Sequence, residues 1–150
     1  MIAALNVHRV DYVLIGGGAL NVHGLIRATE YLDLFVRPVH SNIEALRAAL
    51  RAVWADPEIE KISAEDLLGD YPAVRYGPPS GTLSLDLLTR LGDTTYDTVE
   101  AEVVEVDGVP IRVATPTCLF RIKRSTMRAR DQADALALKE AFDLEPDVER

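Results

Sequence analysis

Two rhythms of apolar and polar positions run along this chain. "DYVLIG", Asp11 to Gly16, is a short apolar run stopped by glycines, as a buried strand would be. "GALNVHGL" suits a short helix directly after it, and "EYLDLFV" reads as a second strand. At Ser41 the period changes. Ser41 and Glu44 have the spacing of a capping box. Ile43, Leu46, Leu50 and Val53 then recur at helical spacing. Asp56 to Pro72 reads as irregular, with one helical turn around Ala64 to Leu68. "AVRYG" and "TLSLDLLT" read as two strands joined by the turn "PPSG". "EAEVVEV" and "VPIRVA" flank Asp107-Gly108, a hairpin signal because both turn residues tolerate positive φ. Thr115 is placed to cap a helix with Pro116 at its first position. A last helix is expected from about Arg128 to Phe142, with "EPDVER" as a frayed tail. This order of elements predicts a mixed α/β fold. No repeat, low-complexity run or linker divides the chain, so residues 1–150 are expected to form a single domain.

Composition narrows the class. With 48% hydrophobic and 27% charged residues, the chain has the balance of a soluble globular protein. Its 150 residues are enough to bury roughly two thirds of the unfolded surface. The single cysteine, Cys118, cannot form an internal disulfide, which fits a reducing cytoplasm. No apolar run approaches the ~20 residues of a membrane span, and "MIAALNVHRV" lacks the layout of a signal peptide. A cytoplasmic protein without membrane partners is therefore expected. The net charge of −8 argues against broad, non-specific nucleic-acid binding and leaves a local basic site open.

Candidate chemistry begins at Gly16-Gly17-Gly18. A glycine turn after a strand lets backbone N–H groups approach an anion with no Cβ in the way, although a tight turn alone would also account for it. The spacing is neither that of a dinucleotide fold nor that of a P-loop. Asp33 and Asp86 each stand among apolar strand residues, where an unpaired charge is costly. Each is either a strand-end residue paired with an arginine or half of a carboxylate pair. Two carboxylates from neighbouring strands can hold a hard divalent cation such as Mg²⁺, together with phosphate oxygens. Tyr31 shares a strand face with Asp33. His23 suits a structural hydrogen bond. Arg121, Lys123, Arg124, Arg128 and Arg130 cluster in an otherwise acidic chain, as phosphate ligands or as a solvated face paired with Asp131 and Asp134. Tyr71, Tyr76 and Tyr96 are available for stacking or for packing.

Taken together, "LIGGGALNVHGLIRATEYLDLFV" resembles the signature of the polymerase-beta-like nucleotidyltransferase superfamily. The likeness is closest to its small bacterial branch, which includes the abortive-infection nucleotidyltransferases of toxin–antitoxin systems. Gly16, Gly17, Ala19, His23, Gly24, Arg27, Thr29, Asp33 and Leu34 match the pattern, and Asp86 matches its third carboxylate. Lys123, Arg128, Asp131 and Asp134 match its later run. The resemblance implies a nucleotidyltransferase fold and transfer of a nucleoside monophosphate from a nucleoside triphosphate to a hydroxyl, using Mg²⁺. The acceptor would be a protein side chain, an RNA end or a small molecule; an oligomer is compatible. It also implies metal binding by Asp33 and Asp86, with Asp86 orienting the acceptor. Gly16, Gly17, Arg27, Thr29 and Lys123 would hold phosphates. The departure is Tyr31, which stands where the superfamily has its first metal-binding aspartate. A phenol with an ordinary pKa near ~10 is a poor Mg²⁺ ligand. Transfer is therefore expected to be weakened by Tyr31, and the alternative is a homologue that kept the fold, lost the metal site, and binds a nucleotide or a partner.

Overall fold

The computed structural model describes residues 1–69, 73–79 and 83–144. Within them six helices and a mixed six-stranded sheet form an α/β architecture. In chain order the elements are α1 (Ile2–Val7), β1 (Tyr12–Ile15), α2 (Gly16–Val22), β2 (Tyr31–Val36), α3 (His40–Val53), a 3₁₀ turn (Pro57–Lys61) and α4 (Ala64–Leu68). Then come β3 (Ala73–Tyr76), β4 (Ser84–Leu88), β5 (Arg90–Leu91), β6 (Thr94–Thr95), β7 (Ala101–Val106), β8 (Val109–Ala114), α5 (Pro116–Arg124) and α6 (Ala129–Phe142). The expected "EPDVER" tail lies outside the described residues, as do Tyr71 and the Ser80-Gly81 half of the "PPSG" turn.

The sheet order is β3-β4-β2-β1-β8-β7. β1 sits inside it, antiparallel to β2 and parallel to β8, and all four of its residues are buried. This is why "YVLI" is uniformly apolar: both faces are covered and no alternation is required. β2 runs parallel to β4, and β3 closes that edge antiparallel to β4. β7 and β8 form the expected hairpin, with Asp107 at φ 50° and Gly108 at φ 80°. β5 and β6 make a separate two-stranded ribbon that hydrophobic periodicity did not mark.

The helices follow local chemistry where it is strong. Thr115 Oγ1 accepts the Cys118 N–H at 3.2 Å, so α5 has the expected cap with Pro116 at its first position. The capping box at Ser41 does not form. Val39 is the N-cap of α3, without a side-chain bond, and Ser41 lies inside the first turn. Asn42 fixes the entry instead. Its Oδ1 accepts Asp11 N–H at 2.7 Å, and its Nδ2 donates to the carbonyls of Asp11 and Arg37, both at 3.0 Å. Glu44 turns outward to Arg47 and Arg51. Ile43, Leu46 and Leu50 face the core as expected, whereas Val53 at the end of α3 is exposed. α1, absent from the periodicity reading, plants Leu5 in the core and packs beside α3 and β8. Among the described residues no helix is long and apolar enough to cross a membrane.

Candidate functional site

β1 ends at Ile15 and the chain turns at once into α2. Gly16 makes that turn at φ +68°, and a Cβ there would collide with Asp33 Oδ2. Glycine is demanded twice, by backbone conformation and by the carboxylate packed against it. A Cβ on Gly17 would come within 3.3 Å of Thr29. Thr29 is spent on its own loop: its hydroxyl donates to the Tyr31 carbonyl at 2.6 Å and accepts the Tyr31 N–H at 3.2 Å.

Strand register brings the two aspartates together. β1 pairs with β2 so that Ile15 is opposite Asp33, and β2 pairs with β4 so that Asp33 is opposite Asp86. Gly16, Asp33 and Asp86 therefore converge at one end of the sheet. The two carboxylates differ in environment. Asp33 is half-buried, and its Oδ1 is enclosed with no hydrogen-bond partner. Its pKa is pushed up from 3.8 to about 6, first by burial and then by the charge and hydrogen bonding of Asp86, against the opposing pull of Lys123 and Arg75. Asp86 is gripped by Arg75, its partner across β3 and β4: Nε donates to Oδ1 at 2.7 Å and Nη2 to Oδ2 at 3.2 Å. The same guanidinium lies 4.2 Å from the centroid of the Tyr31 ring, with Nη1 3.5 Å from the phenol oxygen.

Lys123 is buried, 9% exposed, and reaches Asp131 at 3.2 Å and Asp134 at 3.1 Å. Asp134 also receives Arg27 Nε at 2.8 Å, and Asp131 receives the Thr126 hydroxyl at 2.7 Å. Burial pushes the Asp131 pKa up, but the bonds from Thr126 and Lys123 and the charges of Lys123 and Arg128 outweigh it, leaving the pKa below the ordinary value. Lys123 and Arg27, expected to meet phosphate, thus already have carboxylate partners that cross-link α5, α6 and the loop before β2. Arg128 and Arg130 are exposed on the same cleft. Arg121 bonds Glu100 and Arg124 lies over Phe120, both half-buried, whereas the aspartates expected to pair a solvated basic face, Asp131 and Asp134, hold Lys123 and Arg27. His23 Nε2 donates to the Ala114 carbonyl at 2.8 Å, a structural bond as expected. Tyr76 is buried with its hydroxyl on Asp56, and Tyr96 lies under Arg37, so both tyrosines pack.

Gly16, Gly17, Arg27, Thr29, Asp33, Asp86 and Lys123 all line one cleft of about 700 Å³, together with Tyr31, Arg75, Arg128 and Arg130. A recess of about 240 Å³ adjoins it at Gly16, Asp33 and Asp86, walled by Ile15, Leu88, Leu91, Leu119 and Ile122. Arg75 is the site residue that sequence reasoning missed. Its only signal was the register of the β3–β4 pair, which sets it opposite Asp86.

The donor set can be tested against Mg²⁺, which takes oxygen ligands in near-octahedral array. Asp33 offers an enclosed, unpartnered oxygen, which suits a cation. Asp86 accepts from Arg75 at both oxygens, and position 31 supplies a phenol in place of a carboxylate. Among the described residues no group of three or more His, Cys, Asp or Glu side chains is arranged to hold a metal. In this arrangement the residues do not fit a two-metal site. No protein-family model matches the chain, and no curated protein matches it.

Proposed function

We propose that this cleft binds the phosphates of a nucleoside triphosphate, and that the chain is a nucleotidyltransferase-like protein whose metal-dependent transfer is impaired. The observation that carries the reading is the convergence of the Gly16 turn, Asp33 and Asp86 in a cleft that also holds Arg75, Arg128 and Arg130. Five cationic side chains, counting Arg27 and Lys123, meet four carboxylates there, in a chain whose net charge is −8. The cleft is thus much less acidic than the chain around it. The adjoining recess, with one apolar wall of Ile15, Leu88, Leu91, Leu119 and Ile122, offers a base or an acceptor group an apolar surface beside the carboxylates.

A second reading keeps the transfer activity. The enclosed, unpartnered Asp33 Oδ1 favours it, because a bound cation would supply the missing partner. Thermal unfolding separates the readings. Each of ATP, GTP, CTP and UTP is added with Mg²⁺ and with excess chelator, since a ligand of the native state must stabilise it. A rise in Tm with at least one nucleotide is expected. No rise with any of the four, under either condition, rejects nucleotide binding. Steady pyrophosphate release with a supplied hydroxyl acceptor would favour the active enzyme over the impaired homologue.

A further inference from the structure

We propose that the guanidinium of Arg75 takes the position of a divalent cation in this cleft, so that a phosphate chain binds here without metal. The inference deepens the nucleotide-binding reading and rests on it. Three observations support it. First, Arg75 donates to both oxygens of Asp86, at 2.7 and 3.2 Å, so a metal at that carboxylate would have to share it with, or displace, a bidentate cation already in place. Second, the residue on the same strand face as Asp33 is Tyr31, whose ring lies 4.2 Å from the guanidinium carbon. An aromatic face stabilises a guanidinium and offers a divalent metal little. Tyrosine at 31 and arginine at 75 therefore support each other. Third, Arg75 has donors left over. A guanidinium carries five N–H groups, and Asp86 takes one from Nε and one from Nη2. Nη1 has only the 3.5 Å approach to the phenol, and the side chain is 61% exposed in the cleft. The remaining N–H groups present the planar fork that phosphate oxygens accept. Arg128 lies on the same cleft and, among the described residues, makes no salt bridge.

The consequence is an inverted metal dependence. Free Mg²⁺ coordinates phosphate oxygens and competes with a guanidinium for them, so it leaves affinity unchanged or lowers it. The test is calorimetric titration of inorganic tripolyphosphate, and separately of ATP, into the full chain, in excess EDTA and in excess Mg²⁺. Binding in EDTA is expected, equal to or tighter than that in Mg²⁺. Arg75→Ala is expected to weaken it about tenfold or more, the loss of a charge-assisted contact. Arg75→Lys, which keeps the charge and loses the fork, is expected to fall between the two. Arg75 is exposed on the edge strand β3, and circular dichroism of both variants checks that they fold. Binding that requires Mg²⁺ overturns the inference and leaves the nucleotide reading standing. Binding in EDTA that Arg75→Ala does not weaken overturns it as well. No binding of either probe in either condition overturns both.

Discussion

Asp33 and Asp86 are register partners on parallel strands, and Arg75 pairs with one of them and not the other. Asp86 has a guanidinium across both oxygens, whereas Asp33 has an enclosed Oδ1 with no partner. The asymmetry gives the pair a pH signature. Asp33 has its pKa raised to about 6 in the folded chain, above its unfolded value of 3.8. Between those values the native state holds more protons than the unfolded state, so this group's contribution to stability falls as pH rises from about 4 to about 6 and then levels off. Asp33→Asn removes the penalty. The variant is expected to be more stable than the parent at about pH 7, by on the order of 3 kcal/mol before discounting for its partial exposure and less after it, and similar to it at about pH 4. Urea denaturation at the two pH values, without divalent metal, checks this. An Asn variant less stable at neutral pH would show that Asp33 has a partner in solution.

Tyr31→Asp is expected to do two things at once. It places a second carboxylate on the strand face of Asp33 and removes the ring beneath Arg75. Calorimetric titration of Mn²⁺ or Mg²⁺, with a non-hydrolysable triphosphate present, should show tighter metal binding than in the parent. Equal or weaker binding would reject position 31 as a vacated ligand position.

Lys123→Ala is expected to act first on stability. The side chain is buried between Asp131 and Asp134, and its loss leaves Asp131 without its lysine and Asp134 with Arg27 alone. Removing one partner of a buried ion pair typically costs about 3–5 kcal/mol. The loss should be smaller for Lys123→Arg. Arg124→Ala, which removes a stack on Phe120, should cost about 1 kcal/mol or less. Thermal denaturation ranks the three. Equal, small losses would mean that Lys123 is free to serve a phosphate instead of the α5–α6 junction.

Gly16→Ala is expected to be more damaging than Gly108→Ala. Both glycines have positive φ, +68° and +80°, so both substitutions incur left-handed strain of about 1–2 kcal/mol. Only at Gly16 does the new Cβ also strike a carboxylate, Asp33 Oδ2; around Gly108 the space is open. The excess loss of stability at Gly16 should shrink in the Gly16→Ala, Asp33→Ala double variant. A cycle showing no coupling would mean that the contact does not constrain the turn.

What the sequence determined by itself was local. The apolar run of β1, the Thr115 cap followed by Pro116, the Asp107-Gly108 hairpin and the glycine turn at 16 each depend on residues within a few positions of one another. Local sterics and short hydrogen bonds decide such features before any core exists. The capping box at Ser41 did not form: Asn42, a residue inside that box, bonds Asp11, thirty-one positions away, and Arg37, and these bonds set the entry of α3. The site divides in the same way. The candidate residues were named from the chain, through a resemblance in spacing. Their pairing came from the tertiary structure: Arg75 on Asp86 over Tyr31, and Lys123 and Arg27 neutralised by Asp131 and Asp134. Strand register and helix docking join segments tens of residues apart. No local period records them, because the free energy that selects them belongs to packing the whole sheet and its helices together.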